Sequence, residues 1–251
     1  MRSALGLLRS LWLYRRPGRQ RGLRRLYAPF VGQGDLVFDL GAHVGDRTLA
    51  FAALGGRVVA VEPQPALAAF LRRTTTRHQR IEVVEQAVGA APGRGELQVS
   101  RATPTVSSMN ARWTRDIVNR NPGFTRVRWD RRVEVLVTTL DRMIEAHGLP
   151  RFCKIDVEGH EADVLAGLSQ PLDAVSVEFV AGALEVAQAC VDRLGQLGDY
   201  RFNCVIGEQR NFQWTQWRPG DDVRDWLMDG ADGIASGDLY ARLDGSRSSE
   251  P

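Results

Sequence analysis

The chain has 251 residues, 43% of them hydrophobic, and its 33 basic and 30 acidic side chains give a formal charge of +3. That length supports one good α/β core and excludes a second full domain. No run approaches the roughly 20 apolar residues of a membrane span, and Arg9 breaks the N-terminal apolar stretch, which excludes a signal-peptide core.

Eight arginines and no acid precede Asp35, interleaved with Leu7, Leu8, Leu11, Trp12, Leu13 and Tyr14. This pattern predicts a basic helical extension over residues 1–30. Two roles stay open: a helix packed on the rim of the domain with its arginines in solvent, or an amphipathic contact of residues 1–25 with an anionic membrane surface. No aromatic-interleaved platform for single strands accompanies the charge, so no nucleic-acid partner is expected.

From residue 35 to 195 strand and helix signals alternate, which argues for a mostly parallel sheet of about seven strands with helices on both faces. Strands are expected at Leu36 to Asp39, Arg57 to Val61, Ile81 to Glu85, Phe152 to Asp156 and Ala174 to Phe179. Helices are expected at Arg47 to Leu54, Pro65 to Arg73, Glu161 to Leu168 and Ala183 to Leu197. Leu67, Phe70 and Leu71, and likewise Val164, Leu165 and Leu168, recur at three or four residues and belong to the core.

Between these, Gly95 to Ser100 and Arg132 to Val137 alternate as half-buried strands and bracket an insertion at 101–131. It is too long for an ordinary connection and, carrying Thr103, Ser107, Ser108, Trp113 and Trp129, is read as a substrate lid, with a merely decorative loop as the alternative. The two tryptophans suit either a sugar face or an anchor to the core. After Tyr200 a strand to Ile206, a stretch with Trp214, Trp217 and Trp226, and a strand from Asp238 to Leu243 close the domain over residues 31–245. Gly245 to Pro251 reads as frayed. Cys153, Cys190 and Cys204 are odd in number, lack metal-ligand spacing and lie in apolar segments, as reduced core thiols of a cytoplasmic protein would.

The chemistry begins at the first turn. Asp39, Gly41 and Gly45 spell D-x-G-x-x-x-G, with His43 where a dinucleotide fold would carry its middle glycine. Such a turn, with Ala42 and His43 inside it, suits a cofactor without a phosphate, such as S-adenosylmethionine, whose ammonium can meet the Asp39 carboxylate. Glu62, at the tip of the second strand, can accept two hydrogen bonds from ribose hydroxyls. Gln86 can bond an adenine edge, and Ala87 leaves room for the ring.

A second constellation runs from Phe152 to Glu161. Lys154 is the single lysine among the 33 basic residues, and it suits either a structural pair with a nearby carboxylate or a catalytic ammonium. Asp156, at a strand end, is the first choice for a base or hydroxyl-orienting group, with Glu158 or His160 as substitutes. Glu161 reads as an acid complementing a helix N-terminus. Asp156, Glu158 and Glu178 also permit a divalent metal, but no ligand signature accompanies them and no metal ligand is assigned.

Phe38 to Gly45, Val61-Glu62-Pro63, Gln86 to Gly89, Thr139-Leu140-Asp141 and Lys154 to Glu161 follow one another as they do in FkbM-type S-adenosylmethionine-dependent methyltransferases, which the chain resembles over about residues 30 to 180. The resemblance implies a Rossmann-like methyltransferase fold whose closing strands include an antiparallel edge strand. It also implies O-methylation of a sugar, glycolipid or polyketide-type hydroxyl, with a small molecule or glycan as acceptor. The rivals are a nicotinamide-dependent oxidoreductase, which the missing third glycine disfavours, and a non-catalytic membrane or nucleic-acid binding module. Localisation is expected to be cytoplasmic, with the basic segment offering contact at the inner face of the membrane.

Overall fold

The computed structural model describes residues 18–245. The main sheet is built from near-continuous apolar runs. β1 (Leu36–Leu40) is buried along its whole length, as are four of the five residues of β2 (Arg57–Val61) and all of β7 (Phe152–Ile155). Strands covered on both faces read this way, and these three pair in parallel with β3 (Ile81–Val84) and β8 (Ala174–Val180).

The order is β10-β9-β11-β8-β7-β1-β2-β3, with β9 at Tyr200–Ile206, β10 at Arg218–Pro219 and β11 at Ser236–Leu243. Seven substantial strands and a two-residue edge therefore form the mostly parallel sheet that the alternation of signals predicts, in the Rossmann-like arrangement that the resemblance implies. The antiparallel edge strand is β10, which pairs with β9, whereas the antiparallel strand of the expected closing pair, β11, is not at the edge. β11 lies between β8 and β9 and pairs antiparallel with both. Its run Leu239-Tyr240-Ala241 is buried, as an interior position requires.

Chain order reverses at β1, which has β2 on one side and β7 on the other. In open α/β sheets the crevice for ligands lies outside the strand ends at such a point. The register sets Asp39 beside Lys154 of β7, and Glu178 opposite Asp238 of β11.

Helices α2 (Asp46–Ala53), α3 (Pro65–Thr75), α5 (Leu140–His147), α6 (Glu161–Ala166), α7 (Leu184–Leu197) and α8 (Gly220–Met228) cover the sheet. Pro65 opens α3 at a position where its missing N–H costs nothing. Helix α1 (Arg19–Tyr27) buries Leu23, Leu26 and Tyr27, and the Tyr27 ring sits 4.5 Å from that of Phe51. So the described part of the basic N-terminal segment is a helix packed into the domain, while residues 1–17 of the segment read as a membrane contact lie outside the described residues. Among the described residues no helix is long and apolar enough to cross a membrane. Cys153, Cys190 and Cys204 are buried free thiols.

The half-buried strands lengthen slightly, to β5 (Gly93–Val99) and β6 (Arg131–Thr138), and β4 (Ala87–Val88) joins them in a separate three-stranded sheet. The insertion between them holds a turn at Pro104–Val106, helix α4 (Ala111–Arg120) and a turn at Pro122–Phe124. Asn110 caps α4 by accepting the Trp113 N–H.

Candidate active site

The loops after β1, β2 and β7 converge on one cleft of about 1190 Å³, its open mouth included. Every site residue expected from the sequence lines it except Gly45. Gly45 instead serves the turn: it precedes α2 at φ 80°, and a Cβ there would meet Leu71 at 2.7 Å. Gly41 is held more tightly, since at φ 78° a Cβ would lie 1.9 Å from the Asp156 carbonyl oxygen. Only glycine lets the first turn approach the β7 loop this closely.

Asp39 is 1% exposed. Its Oδ2 accepts the Thr48 hydroxyl, while Oδ1 is buried without a hydrogen-bond partner and the residue faces the cleft. Burial raises the Asp39 carboxyl above its ordinary range, although Lys154 and Thr48 pull it back. Such an atom suits an incoming cationic donor.

Glu62 is clamped by the turn it faces. Its Oε2 accepts the His43 N–H and its Oε1 the Gln64 N–H, both at 2.9 Å. These bonds fix the plane of the carboxylate and leave its other lone pairs for ligand hydroxyls. Burial pushes its pKa up to about 7, against the two backbone N–H groups that lower it. His43 takes a positive φ of 50° to present that N–H, and burial lowers its imidazole to about 4. At neutral pH His43 is thus an uncharged wall of the turn. Ala42 is buried against Ala60 and Leu71, and Gln86 and Ala87 line the cleft.

Across the cleft, Lys154 Nζ donates to Asp156 Oδ2 at 2.8 Å. Burial works against both charges, yet the pair prevails: the ammonium is raised, and Asp156 is held below the usual carboxylate range by Lys154 and Arg47. Lys154 thus has the carboxylate partner that one of its two expected roles requires. Glu158 is buried at a positive φ of 57°, with Oε2 unpartnered. Burial, then Asp156 and Glu161, raise its carboxyl well above the ordinary value.

Glu161 does more than complement a helix end, because its Oε1 accepts the Val157 and Gly159 N–H groups at 3.0 and 3.2 Å and so pins the loop that presents Asp156 and Glu158. His160 lines the cleft with its Nδ1 3.0 Å from Asp163.

The insertion forms a fixed wall. Gln64 Nε2 donates to the Pro104 carbonyl at 3.0 Å, and Asn110 Nδ2 to the Gly159 carbonyl at 2.8 Å, so the segment is tied to both banks of the cleft. Thr105, Ser107 and Met109 face inward between these ties. The tryptophans do not line the cleft. Trp113 is 5% exposed in a cluster with Ile117, Val180 and Ala183, and Trp129 stacks edge-on against it at 6.1 Å. They anchor the insertion to the core.

Several cleft residues escaped sequence reasoning. Arg47 reaches Asp46 at 3.4 Å and Glu208 at 3.8 Å, and Arg19 of α1 reaches the same two acids at 3.0 and 2.8 Å. These arginines hold Asp46 below its ordinary range despite its burial. Asp238 arrives from β11, and burial raises its pKa to about 6. Acids at the ends of buried strands were visible for Glu62 and Asp156; Glu208 and Asp238 reach the cleft through pairings that no local pattern records.

Residues 39–232 match the methyltransferase FkbM domain. No curated protein matches the chain. Among solved structures it is similar to a precorrin-6y C5,15-methyltransferase from Geobacter metallireducens GS-15, at 12% identity over 90% of this chain and 87% of that one, with a TM-score of 0.44. It is also similar to an S-adenosylmethionine-dependent O-methyltransferase from Thermotoga maritima, at 10% identity over 90% and 65% of the two chains and a TM-score of 0.43. A fibrillarin from Aeropyrum pernix with natively bound S-adenosyl-L-methionine shares 13% identity over 84% and 68%, with a TM-score of 0.44.

Proposed function

The chain belongs to the family defined by the methyltransferase FkbM domain, and from that premise we propose that it transfers a methyl group from S-adenosylmethionine to a hydroxyl of a sugar, glycolipid or polyketide-type acceptor. The observation that carries this reading is the pairing, across one cleft, of a cofactor bank and an acid bank. Asp39 Oδ1 and the clamped Glu62 lie on one side, and Asp156 with its neighbours lies on the other.

The residues present fit this cofactor. Asp39 Oδ1 is an orphaned buried acceptor suited to an ammonium, and Glu62 keeps lone pairs for a ribose diol. Gln86 and Ala87 edge the adenine side. When bound, the cofactor supplies an electrophilic methyl group on a sulfonium.

The chain's own task is then to align and deprotonate an alcohol. Alignment of two well-held reactants accounts for up to roughly 7–11 kcal/mol of a barrier. Asp156, kept ionised by Lys154, accepts the hydrogen bond of the acceptor hydroxyl and orients its lone pair, and a base in reach contributes about 10²- to 10⁴-fold. Glu158 and His160 flank that position. The Thr105–Met109 wall keeps bulk water from the reacting atoms.

Calorimetry with S-adenosylhomocysteine and, separately, with NAD tests the reading. Saturable binding of the former and none of the latter is expected; the reverse overturns methyl transfer in favour of the oxidoreductase.

A further inference from the structure

Asp156 and Glu158 come from the turn after β7, and Glu178 from the neighbouring strand β8. One carboxylate oxygen from each lies within 4.8 Å of the other two. The three acids are unequally provided for. Asp156 has the Lys154 ammonium at 2.8 Å. Glu158 Oε2 and Glu178 Oε2 are buried atoms without a hydrogen-bond partner, and both residues face the cleft. Glu158 is 9% exposed.

The loop cannot supply the missing donors, because the Val157 and Gly159 N–H groups are taken by Glu161. A buried carboxylate without a donor is costly, and two of them side by side are costlier. With all three acids ionised and Lys154 counted against them, the excess would be two negative charges.

From this geometry we propose that Asp156, Glu158 and Glu178 form a binding site for one hard divalent cation of the Mg²⁺, Mn²⁺ or Ca²⁺ class. The donors are all carboxylate oxygens, which suit these ions rather than thiolate- or imidazole-seeking metals. The spacing fits: oxygens on opposite sides of an ion are about 4.1 Å apart for Mg²⁺ and about 4.6–5.2 Å apart for Ca²⁺, twice the respective metal–oxygen distances. Three protein oxygens leave positions open toward the cleft. There the ion takes water or the acceptor's oxygens and acidifies a bound hydroxyl. This use of the ion rests on the methyl-transfer reading, whereas its binding does not.

The test is titration of the metal-stripped full chain with Mn²⁺ alone, followed by electron paramagnetic resonance and calorimetry, with Mg²⁺ and Ca²⁺ as competitors. One Mn²⁺ per chain is expected in the wild type. Changing a partner outside the ligand shell costs about 10–100-fold in affinity, so Glu178→Gln and Glu158→Gln should each weaken binding at least that much. Without metal, Glu178→Gln should melt no lower than the wild type, since it removes repulsion, and Mn²⁺ should raise the wild-type melting temperature but not the variant's. If one variant misfolds, the other carries the comparison. Absence of saturable Mn²⁺ binding by the wild type, or undiminished binding in the folded variants, overturns the site. Parallel titration with S-adenosylhomocysteine keeps the two readings apart. A chain that takes the nucleoside but no Mn²⁺ loses only the metal site, and one that takes Mn²⁺ but no nucleoside loses only the methyl-transfer reading.

Discussion

The α-carbon of Gly41 faces the carbonyl oxygen of Asp156 at a separation that admits no side chain, since a Cβ would stand 1.9 Å from that oxygen. The glycine turn and the acid loop are thereby a single construction, and the distance between the cofactor bank and the acid bank is set at this contact. Gly41→Ala should force the two loops apart. Overpacking of this kind costs about 1–3 kcal/mol, with the left-handed φ adding roughly 1 kcal/mol. Thermal denaturation should show the loss, and calorimetry should show weakened S-adenosylhomocysteine binding in whatever protein remains folded. Wild-type affinity in this variant would show that the contact sets nothing.

Glu62 offers a cleaner probe of the cofactor bank. Glu62→Ala should weaken S-adenosylhomocysteine by about 1.5–3 kcal/mol, the worth of hydrogen bonds to a charged group. Circular dichroism must show a folded chain, because the His43 and Gln64 amides lose their acceptor as well. Unchanged affinity removes Glu62 from the ribose.

Asp156→Asn should leave S-adenosylhomocysteine affinity intact and lower kcat at least about tenfold, as for a residue acting on the acceptor. The same change strands the Lys154 ammonium and should cost about 2–3 kcal/mol of stability, less than for a fully buried pair because the Asp156 side chain is 24% exposed. Pairing Asp156→Asn with Lys154→Met should restore the melting temperature but not turnover. Recovery of both would make Asp156 a structural residue only.

Trp113 is assigned to anchoring, not to substrate. Trp113→Ala should lose about 3–5 kcal/mol by cavity formation, and limited trypsin digestion should cut first at the arginines of the 101–131 insertion. A variant that keeps its stability and protease resistance while losing acceptor affinity would return the indole to the substrate.

Stability should fall as pH rises from 5 to 8. Glu62 and Glu161 have folded pKa values near 7 and Asp238 near 6, all raised by burial above their ordinary carboxylate values. The folded chain therefore binds more protons than the unfolded one between about pH 4 and 7, which stabilises it at low pH and is lost as pH passes the folded values. For a domain of this size each kcal/mol lost lowers the melting temperature by about 2–4 °C. Fluorimetric melts across this range should descend, and Glu161→Gln should flatten the slope. A rising curve would contradict the burial of these acids.

The legible part of the site was the part written in contiguous sequence. Gly41, with its apolar strand before it and Glu62 at the next strand's tip, announces a turn and its acid because backbone conformation and strand ends are local properties. Lys154 to Glu161 is legible for the same reason. What stayed hidden depends on pairing between distant segments. Nothing near Asp238 says that β11 inserts between β8 and β9 and sets this residue opposite Glu178. Nor does Arg19 reveal that it will reach Asp46, since a run of arginines looks alike whether it faces solvent or closes a cleft. Trp113 and Trp129 show the limit of composition: an indole reads the same as a sugar platform or as a core anchor, and only the packing against Val180 and Ala183 decides.

The place of β11 also fixes when the cleft can come into being. A chain still being synthesised and not yet past Ser236 holds β8 and β9 with the strand that joins them missing, so two interior edges stand open. Until β11 slots between them, Asp238 is missing from the cleft, and β9 and β10 are not joined to the rest of the sheet. Ligand capture therefore waits on the docking of β11, and until then those edges are open to pairing with other chains.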